Sequence, residues 1–296
     1  MFFQIPNTIK QHIDSIWEKY ILTNVRETFF GEFWMSLPGS KLFFEQLKYF
    51  FKLEQFEFIK PWIPAFNPKK SNVSWIPINK SIQGAEEIAL PEAILDKFIE
   101  KASHRVIVNF CGCRIAMGCK NYPHHIGCLM MGDSALLIPE KSRREVSIDE
   151  AKAHVREAIE AGLIPVTGKA RIDNDIFMIP DKGKLLTVCF CCECCCVTRF
   201  TRYLSPQLMN DIHHPIEGLT IKINPELCIG CGLCVSKCYL NAIEIINKCA
   251  VIGDLCRVCG RCALYCPQKA IQLKLDNNNA IEDVVQRIES HVNFQA

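Results

Sequence analysis

The chain has 296 residues, of which 49% are hydrophobic, so it is long and apolar enough for one or two domains with a sizeable core. Its formal net charge of +2 gives no electrostatic reason to expect nucleic acid or a strongly acidic partner. The sequence has no uncharged apolar run of the roughly 18 residues that a membrane-spanning helix needs, so no such helix is predicted.

Cysteine usage is the most informative property of the composition. The 19 cysteines lie in three groups, at 111–128, 189–196 and 228–266. The N-terminal sequence MFFQIPNTIKQH lacks the basic start, apolar run and cleavage site of a signal peptide, so we expect a cytoplasmic protein. Because thiols stay reduced in the cytoplasm, such dense cysteine favours metal binding over disulfides.

Residues 1–100 are predicted to form a helical, aromatic-rich region without cysteine. Apolar periodicity over 5–20 predicts one helix, SKLFFEQLKYFFKLEQF predicts a second with Ser40 as its N-cap, and PEAILDKFIEKAS predicts a third. One side of the second helix is expected to carry Leu42, Phe43, Leu47, Phe50 and Phe51. We expect these helices to cover the cysteine-rich region. The alternative is a docking surface for a redox partner or for the membrane interface.

Residues 101–215 are predicted to form a cysteine-rich α/β middle domain. The short apolar segments Arg105–Phe110 and Leu185–Phe190 are predicted as buried strands, and each runs directly into cysteines. Between them, Ser147 and Glu150 form a capping box at the start of a predicted helix. The order strand, helix, strand indicates a βαβ unit whose two strands pair in parallel, which would bring both cysteine groups to one sheet edge.

Ten cysteines serve this middle region, and nine are candidate metal ligands: Cys111, Cys113, Cys119, Cys128, Cys191, Cys192, Cys194, Cys195 and Cys196. Since one [4Fe-4S] cluster needs four thiolates, the count admits one or two clusters here. The simplest partition gives 111–128 one cluster and 191–196 another, and a mixed partition is equally open. The alternatives are a zinc or mixed structural site and a redox site of vicinal thiols.

Three other side chains of this region have two interpretations each. His124 and His125 are either further metal ligands or ordinary polar loop residues. Arg114, directly after Cys113, either balances the charge of a thiolate-bound cluster or is a solvated arginine.

The C-terminal region repeats itself with an offset of 28 residues, and each copy reads Cys-x2-Cys-x2-Cys-x3-Cys. The first three thiolates of a copy lie on one tight loop suited to one cluster, and the fourth completes the other cluster. Gly230, Gly232 and Gly260 suit such tight loops. Two zinc sites are the alternative. Cys249 lies outside the pattern and is expected to be a buried residue on a strand.

Residues 219–275 resemble the bacterial-type two-cluster [4Fe-4S] ferredoxin. The resemblance implies one cluster on Cys228, Cys231, Cys234 and Cys266, and a second on Cys256, Cys259, Cys262 and Cys238. One departure from that family is Tyr239, which takes the place of the proline that Pro267 supplies in the second copy. A looser turn after Cys238 is therefore expected.

The spacing Cys-x-Cys-Arg followed by Cys-x-Cys-Cys-x-Cys-Cys-Cys, ahead of these repeats, also resembles uncharacterised ferredoxin-like proteins of anaerobic bacteria and archaea. The predicted fold class is α+β, with N-terminal helices, the α/β middle domain, a two-cluster ferredoxin-like domain at 219–275 and a C-terminal helix or tail at 276–296. The predicted function is single-electron transfer through several [4Fe-4S] clusters: two in the repeats and one or two more in the middle.

Two other functions stay open on sequence grounds. In one, the cysteines of 111–128 and 189–196 form a catalytic cluster or thiol site of an oxidoreductase, which the ferredoxin repeats supply with electrons. In the other, the protein is a redox sensor or scaffold. The expected partners are redox proteins, with no nucleic acid and no membrane contact beyond peripheral docking.

Overall fold

A computed structural model of the chain describes residues 36–56, 66–79, 82–84 and 90–296. The helix predicted over 5–20 lies outside these residues. The described helices are α1 (Pro38–Lys52), α2 (Leu90–Lys101), α3 (Gly112–Ala116), α4 (Ile148–Glu160), α5 (Arg171–Ile176), α6 (Pro206–Ile212), α7 (Leu233–Ser236), α8 (Arg261–Leu264) and α9 (Ala280–Glu289). The strands are β1 (Asn72–Trp75), β2 (Arg105–Val108), β3 (Leu129–Met131), β4 (Arg143–Glu145), β5 (Ile164–Lys169), β6 (Leu186–Cys191), β7 (Leu219–Ile223), β8 (Ile243–Ile246), β9 (Cys249–Ile252) and β10 (Ile271–Leu275).

The predicted α+β fold class is confirmed: helices surround antiparallel sheets, a cysteine-rich region occupies the middle of the chain, and a ferredoxin-like region follows it. Six strands form the largest sheet in the order β1-β5-β6-β3-β2-β4, with every neighbouring pair antiparallel. The bounds of the four predicted segments stay a prediction. Among the described residues, no helix is long and apolar enough to cross a membrane.

The predicted parallel pairing of β2 with β6, and the βαβ unit built on it, are wrong. The three-residue strand β3 lies between them and pairs antiparallel with both. The chain turns back within the loop 109–128, so β3 follows β2 as its antiparallel neighbour and no crossover to a parallel partner is needed. Because β3 is antiparallel to both β2 and β6, these two strands still run in the same direction and end at the same edge of the sheet.

The helix α4 is held at its start by the predicted capping box. The Glu150 backbone N–H donates to Ser147 Oγ (3.3 Å), and the Ser147 N–H donates to Glu150 Oε2 (2.8 Å). Ala151, Val155 and Ile159 lie buried on one side of this helix. Alternate residues of β2 belong to different buried clusters, Ile107 to one and Val106 to another. The sheet is therefore covered on both faces, so a shift of register by one residue would exchange the residues that the two clusters bury.

Helix α1 differs from its prediction in both its start and its buried side. It begins at Pro38, a residue whose fixed φ suits the first turn, so Ser40 is not the N-cap. Phe44 and Phe51 are buried, whereas Leu42 and Phe43 are 58% exposed. The Phe51 ring packs 6.4 Å from that of Phe200, so this helix covers the segment that follows the 191–196 cysteines.

We predict that Asp173→Asn stabilises the protein more strongly as pH rises. Asp173 is buried and accepts a hydrogen bond from the Thr187 hydroxyl (2.6 Å), and burial raises its pKa to about 6. A carboxyl whose pKa is raised on folding favours the folded state only while protonated, so wild-type stability is lost as pH rises from about 3.8 to about 6. The gain for the variant is therefore about 3 kcal/mol at neutral pH and about 1 kcal/mol near pH 4.5.

Urea unfolding of both proteins at the two pH values measures this gain. The exposed Asp254 supplies the control Asp254→Asn, for which we expect a change near zero at both pH values. An equal gain for Asp173→Asn at both pH values would contradict a raised pKa of the buried Asp173 carboxyl.

Candidate metal centres

The 28-residue repeat of the ferredoxin-like region is visible in its backbone. Positive φ angles recur at that offset in three pairs: Gly230 (67°) and Val258 (52°), Gly232 (76°) and Gly260 (73°), Asn241 (52°) and Lys269 (50°). Two two-stranded sheets, β7 with β10 and β8 with β9, frame these loops. The two copies therefore present their cysteines on loops of nearly the same shape.

The first predicted ligand set lies near the surface. Its four cysteines, Cys228, Cys231, Cys234 and Cys266, line one recess of about 340 Å³ together with Pro267. Backbone N–H groups point at these sulfurs, from Ala250 to Cys228 (3.4 Å) and from Ala270 to Cys266 (3.3 Å). Such donors stabilise thiolates that bind iron. Cys249 is on strand β9, as predicted, beside Cys228, but it is half-buried rather than buried.

The second predicted set is more deeply buried. Cys238, Cys256, Cys259 and Cys262 are electrostatic neighbours of one another, and burial raises the pKa of Cys259 to about 12. Thiolates in such a place require a bound cation to offset their charge. The N–H of Ala242 lies 3.3 Å from Cys238 Sγ, which matches the bond at Cys266 in the other copy. Both ligand sets stay a prediction on this geometry.

Tyr239 does not leave a loose turn after Cys238. Its side chain is buried, and its ring packs edge-on against Trp75 with 5.5 Å between centroids. Its hydroxyl donates a hydrogen bond to the backbone carbonyl of Cys191, at the end of β6. The residue that replaces proline therefore joins the ferredoxin-like region to the cysteine-rich loop, and these contacts hold the turn.

The ten thiols of the middle region fall into two groups of four and one pair. The tight group is Cys119, Cys192, Cys194 and Cys195, whose sulfurs all lie within 4.8 Å of one another. The open group is Cys111, Cys113, Cys191 and Cys196, linked in a chain of sulfur contacts in which Cys196 and Cys191 are 3.0 Å apart. The pair is Cys128 and Cys189, with sulfurs 3.5 Å apart on neighbouring strand ends.

Each four-thiol group takes cysteines from both segments, so the simplest partition of the sequence is not the one that the fold adopts. Strands β2 and β6 end at the same edge, which places Cys111 and Cys191 together. Successive residues of an extended chain point to opposite sides, and accordingly Cys191 and Cys192 belong to different groups. The loop that follows then curls, returning Cys194 and Cys195 to the tight group and Cys196 to the open one.

Arg114 is fully buried between the two segments. Its guanidinium donates to the backbone carbonyls of Phe190 (2.9 Å) and Ile126. Burial lowers its pKa, but the neighbouring thiolates, Cys111 and Cys192 among them, outweigh burial and raise the pKa overall. Of its two interpretations, the solvated one is wrong, since Arg114 is a buried cation placed against thiolates.

The two histidines have partners other than sulfur. His124 Nε2 lies 2.7 Å from the backbone oxygen of Cys119, and His125 Nε2 lies 2.9 Å from Glu157 Oε1. The role of His124 is therefore to hold the loop that carries Cys119.

Sequence reasoning missed a charged contact between the thiol loop and the ferredoxin-like region. Glu193, within the cysteine run, binds the buried Arg261 (2.7 Å) and accepts a hydrogen bond from the Tyr122 hydroxyl (2.9 Å). Arg261 also donates to the Gly162 carbonyl (2.8 Å). The one signal available was that Glu193 is the single charged residue within CFCCECCC.

An apolar cavity lies beside Cys189, one member of the Cys128–Cys189 pair. Its lining is mostly aliphatic and aromatic, and Cys189, Thr198, Asp173 and His213 are among its polar members. Thr198 also donates from its hydroxyl to Cys196 Sγ (3.2 Å), so the cavity borders the open group.

Comparison with known proteins supports the iron–sulfur character of the C-terminal region. Residues 221–244 match the Fer4 family, described as a 4Fe-4S binding domain. A stretch of 60 residues, 20% of this chain, is 40% identical to one subunit of an ion-translocating oxidoreductase complex from Methanosarcina acetivorans. The match covers 23% of that relative's length. No solved structure matches the chain. The C-terminal region is thus similar to [4Fe-4S] binding domains, which supports an iron–sulfur electron-transfer role.

We predict that alanine is more harmful at Gly230 than at Gly232. Both residues have positive φ, which costs an alanine about 1–2 kcal/mol. A Cβ at Gly230 would in addition lie 2.7 Å from the Lys248 carbonyl oxygen, whereas nothing lies within 4 Å of one at Gly232. Anaerobic urea titrations that follow the visible absorbance of the clusters measure both losses. Equal losses would contradict the close approach of Gly230 to the β8–β9 turn.

Proposed function

We propose that this chain is an iron–sulfur electron-transfer protein in which a two-cluster ferredoxin region exchanges single electrons with a third centre in a fused cysteine-rich domain. In the ferredoxin region, one [4Fe-4S] cluster binds Cys228, Cys231, Cys234 and Cys266, and the other binds Cys256, Cys259, Cys262 and Cys238. The family match over 221–244 supports cluster binding there. Such clusters carry single electrons at potentials that their protein surroundings adjust.

The third centre is assigned to the open group. Its four thiols come from two loops and do not all crowd within the short distance that characterises the tight group. Four thiols drawn from two loops can bind a [4Fe-4S] cube, in which each thiolate binds a different iron. The hydroxyl of Thr198 donates toward Cys191 (3.4 Å) and Cys196 (3.2 Å), and Arg114 supplies buried positive charge. Hydrogen bonds and charge of this kind stabilise a thiolate-bound cluster.

The observation that carries the proposal is the Tyr239 hydrogen bond. Tyr239 follows Cys238 directly in sequence, and its hydroxyl donates to the carbonyl of Cys191. One residue therefore connects a predicted ligand of the buried ferredoxin cluster with a ligand of the proposed third centre. The contact is buried, as are Trp75 and Arg261 around it, so the connection is rigid and dry.

The other end of the chain of centres faces solvent. Cys231 is exposed, and Ile229 (62% exposed) and Leu233 (42% exposed) flank it. Exposed apolar side chains around a surface centre suit transient docking of a redox partner protein. The relative from Methanosarcina acetivorans is named as a subunit of an oxidoreductase complex, which supports partner proteins for this chain as well.

We predict that Cys196→Ala removes one cluster and leaves the ferredoxin clusters in place. Wild-type protein purified anaerobically is expected to hold about twelve acid-labile sulfides per chain, and the variant about four fewer with a matching loss of iron. Chemical sulfide and iron assays with EPR measure this. Cys249→Ala, on strand β9 outside the motif, is the control and should keep all sulfide. Full sulfide retention in Cys196→Ala would remove the third centre from the proposal.

We predict that Tyr239→Phe slows electron transfer between the ferredoxin region and the third centre several-fold without loss of iron or sulfide. The variant keeps the ring against Trp75 and removes only the hydrogen bond to Cys191, at a stability cost of about 1 kcal/mol. Freeze-quench EPR after rapid reduction measures the rate. Tyr265→Phe is the control, because that ring also lies against Arg261 but makes no bond to Cys191. An unchanged rate in Tyr239→Phe would show that this contact does not couple the centres.

A further inference from the structure

The tight group differs from the other cysteine sets because each of its four sulfurs lies within 4.8 Å of the other three. Cys119 Sγ lies 3.6 Å from Cys194 Sγ, which lies 3.5 Å from Cys195 Sγ, and all four sulfurs fit within 4.8 Å. Within the described ranges, this is the one set of three or more candidate ligands that meets so short a limit. Neither ferredoxin set meets it, although each also has four cysteines on curled loops.

These distances match a single tetrahedral ion. Zinc binds thiolate at about 2.3 Å, so four sulfurs at the corners of a tetrahedron around it lie about 3.8 Å apart. A [4Fe-4S] cube places an iron behind each thiolate and spreads the sulfurs around the whole cube. The tight group therefore has the dimensions of the smaller site.

The local sequence has the form of a metal knuckle. Cys192 and Cys195 are separated by two residues, the spacing that structural zinc sites use. The backbone N–H of Cys195 and its thiol both lie against Cys192 Sγ, as in a loop folded around one ion. Cys194 and the distant Cys119 complete the set of four.

We propose that Cys119, Cys192, Cys194 and Cys195 bind one thiophilic divalent ion, Zn²⁺ or Fe²⁺, in a tetrahedral site separate from every iron–sulfur cluster. The site is closed by four protein ligands, which is the form of a structural rather than a catalytic ion. It goes beyond the proposed electron-transfer function, because it uses none of the thiols assigned to a cluster.

Neighbouring groups already hold the ligands in place. The Arg199 guanidinium donates to the Cys194 carbonyl, and His124 Nε2 contacts the Cys119 carbonyl (2.7 Å). Such contacts orient ligands and are a regular part of protein metal sites. Four thiolates with a divalent ion keep two negative charges, and the buried Arg114, an electrostatic neighbour of Cys192, offsets part of that charge.

The ion would organise the contact with the ferredoxin region. Glu193 lies inside the knuckle, between two ligands, and its carboxylate binds Arg261 (2.7 Å). Arg261 directly precedes Cys262, a predicted ligand of the buried cluster. A fixed knuckle therefore positions Glu193, and through Arg261 it positions the loop of that cluster.

Metal and sulfide counts on the anaerobically purified full chain test the site. We expect one zinc per chain, or one iron in excess of acid-labile sulfide. Cys119→Ala and Cys194→Ala should each lose that one metal and keep all sulfide. The matched controls Cys111→Ala and Cys196→Ala, from the open group, should lose about four iron and four sulfide and keep the single metal.

Loss of iron and sulfide together in the tight-group variants would overturn the proposal, as would metal and sulfide contents equal to wild type. Should these variants fail to fold, X-ray absorption of the wild-type protein decides the matter. A zinc edge with four sulfur neighbours and no iron neighbour supports the site, as does a mononuclear ferric–thiolate EPR signal after mild oxidation. Sulfide equal to iron with no zinc overturns it. Failure of the open-group controls to lose sulfide would instead count against the third cluster.

Discussion

Negative charge in a buried place is the constraint on which the rest of this structure depends. Ten thiols converge near one edge of a sheet that is covered on both faces, and six of them are almost fully buried: Cys111, Cys119, Cys191, Cys192, Cys195 and Cys196. Thiolates are the form that binds metal, and an uncompensated buried charge costs several kcal/mol. In this fold, buried arginines supply compensating positive charge. Arginine is rarely buried in proteins unless it is paired. Arg114 lies among the middle thiols, and Arg261 lies between Glu193 and the ferredoxin cysteines.

Arg261 shows how this compensation also sets the arrangement of the two regions. Its side chain is 1% exposed and that of Glu193 is 14% exposed, so neither charge is well hydrated. Removal of one partner from such a pair typically costs about 3–5 kcal/mol, because the other charge is left buried alone. Tyr122, Tyr239 and Tyr265 surround the guanidinium with ring faces. The interface is therefore specific as well as stable, since a shifted ferredoxin region would leave Arg261 without a partner.

The sequence predicts this protein unevenly, for physical reasons. Local signals sufficed for the α4 capping box and for the two strands that run into cysteines, and the 28-residue spacing sufficed for the ferredoxin-like repeat. Strand β3 was not predicted, because three apolar residues after a long cysteine loop are too few to show the alternation of apolar and polar residues that indicates a strand. Its position between β2 and β6 depends on pairing across the fold. The start of α1 was misplaced because Pro38 takes the first helical position and Leu37 the N-cap, so Ser40 lies inside the first turn although its residue type favours an N-cap.

The candidate site was predictable as a pool of thiols but not as separate groups. Which sulfur joins which group depends on the alternation of side chains at the end of β6 and on where the chain begins to curl. From the sequence alone, Tyr239 indicated only that the usual proline was missing and that the turn would be looser. The contacts that hold the turn could not be predicted, because Trp75 and the Cys191 carbonyl are far away in the chain. A run such as CFCCECCC has more sulfur than one four-thiol site can use, and in the fold it contributes to two separate sulfur groups. Cys191 and Cys196 face one group, Cys192, Cys194 and Cys195 face the other, and Glu193 leaves both to meet the ferredoxin region. One short loop thus joins three parts of the molecule, and this explains why its charge and its spacing are so tightly specified.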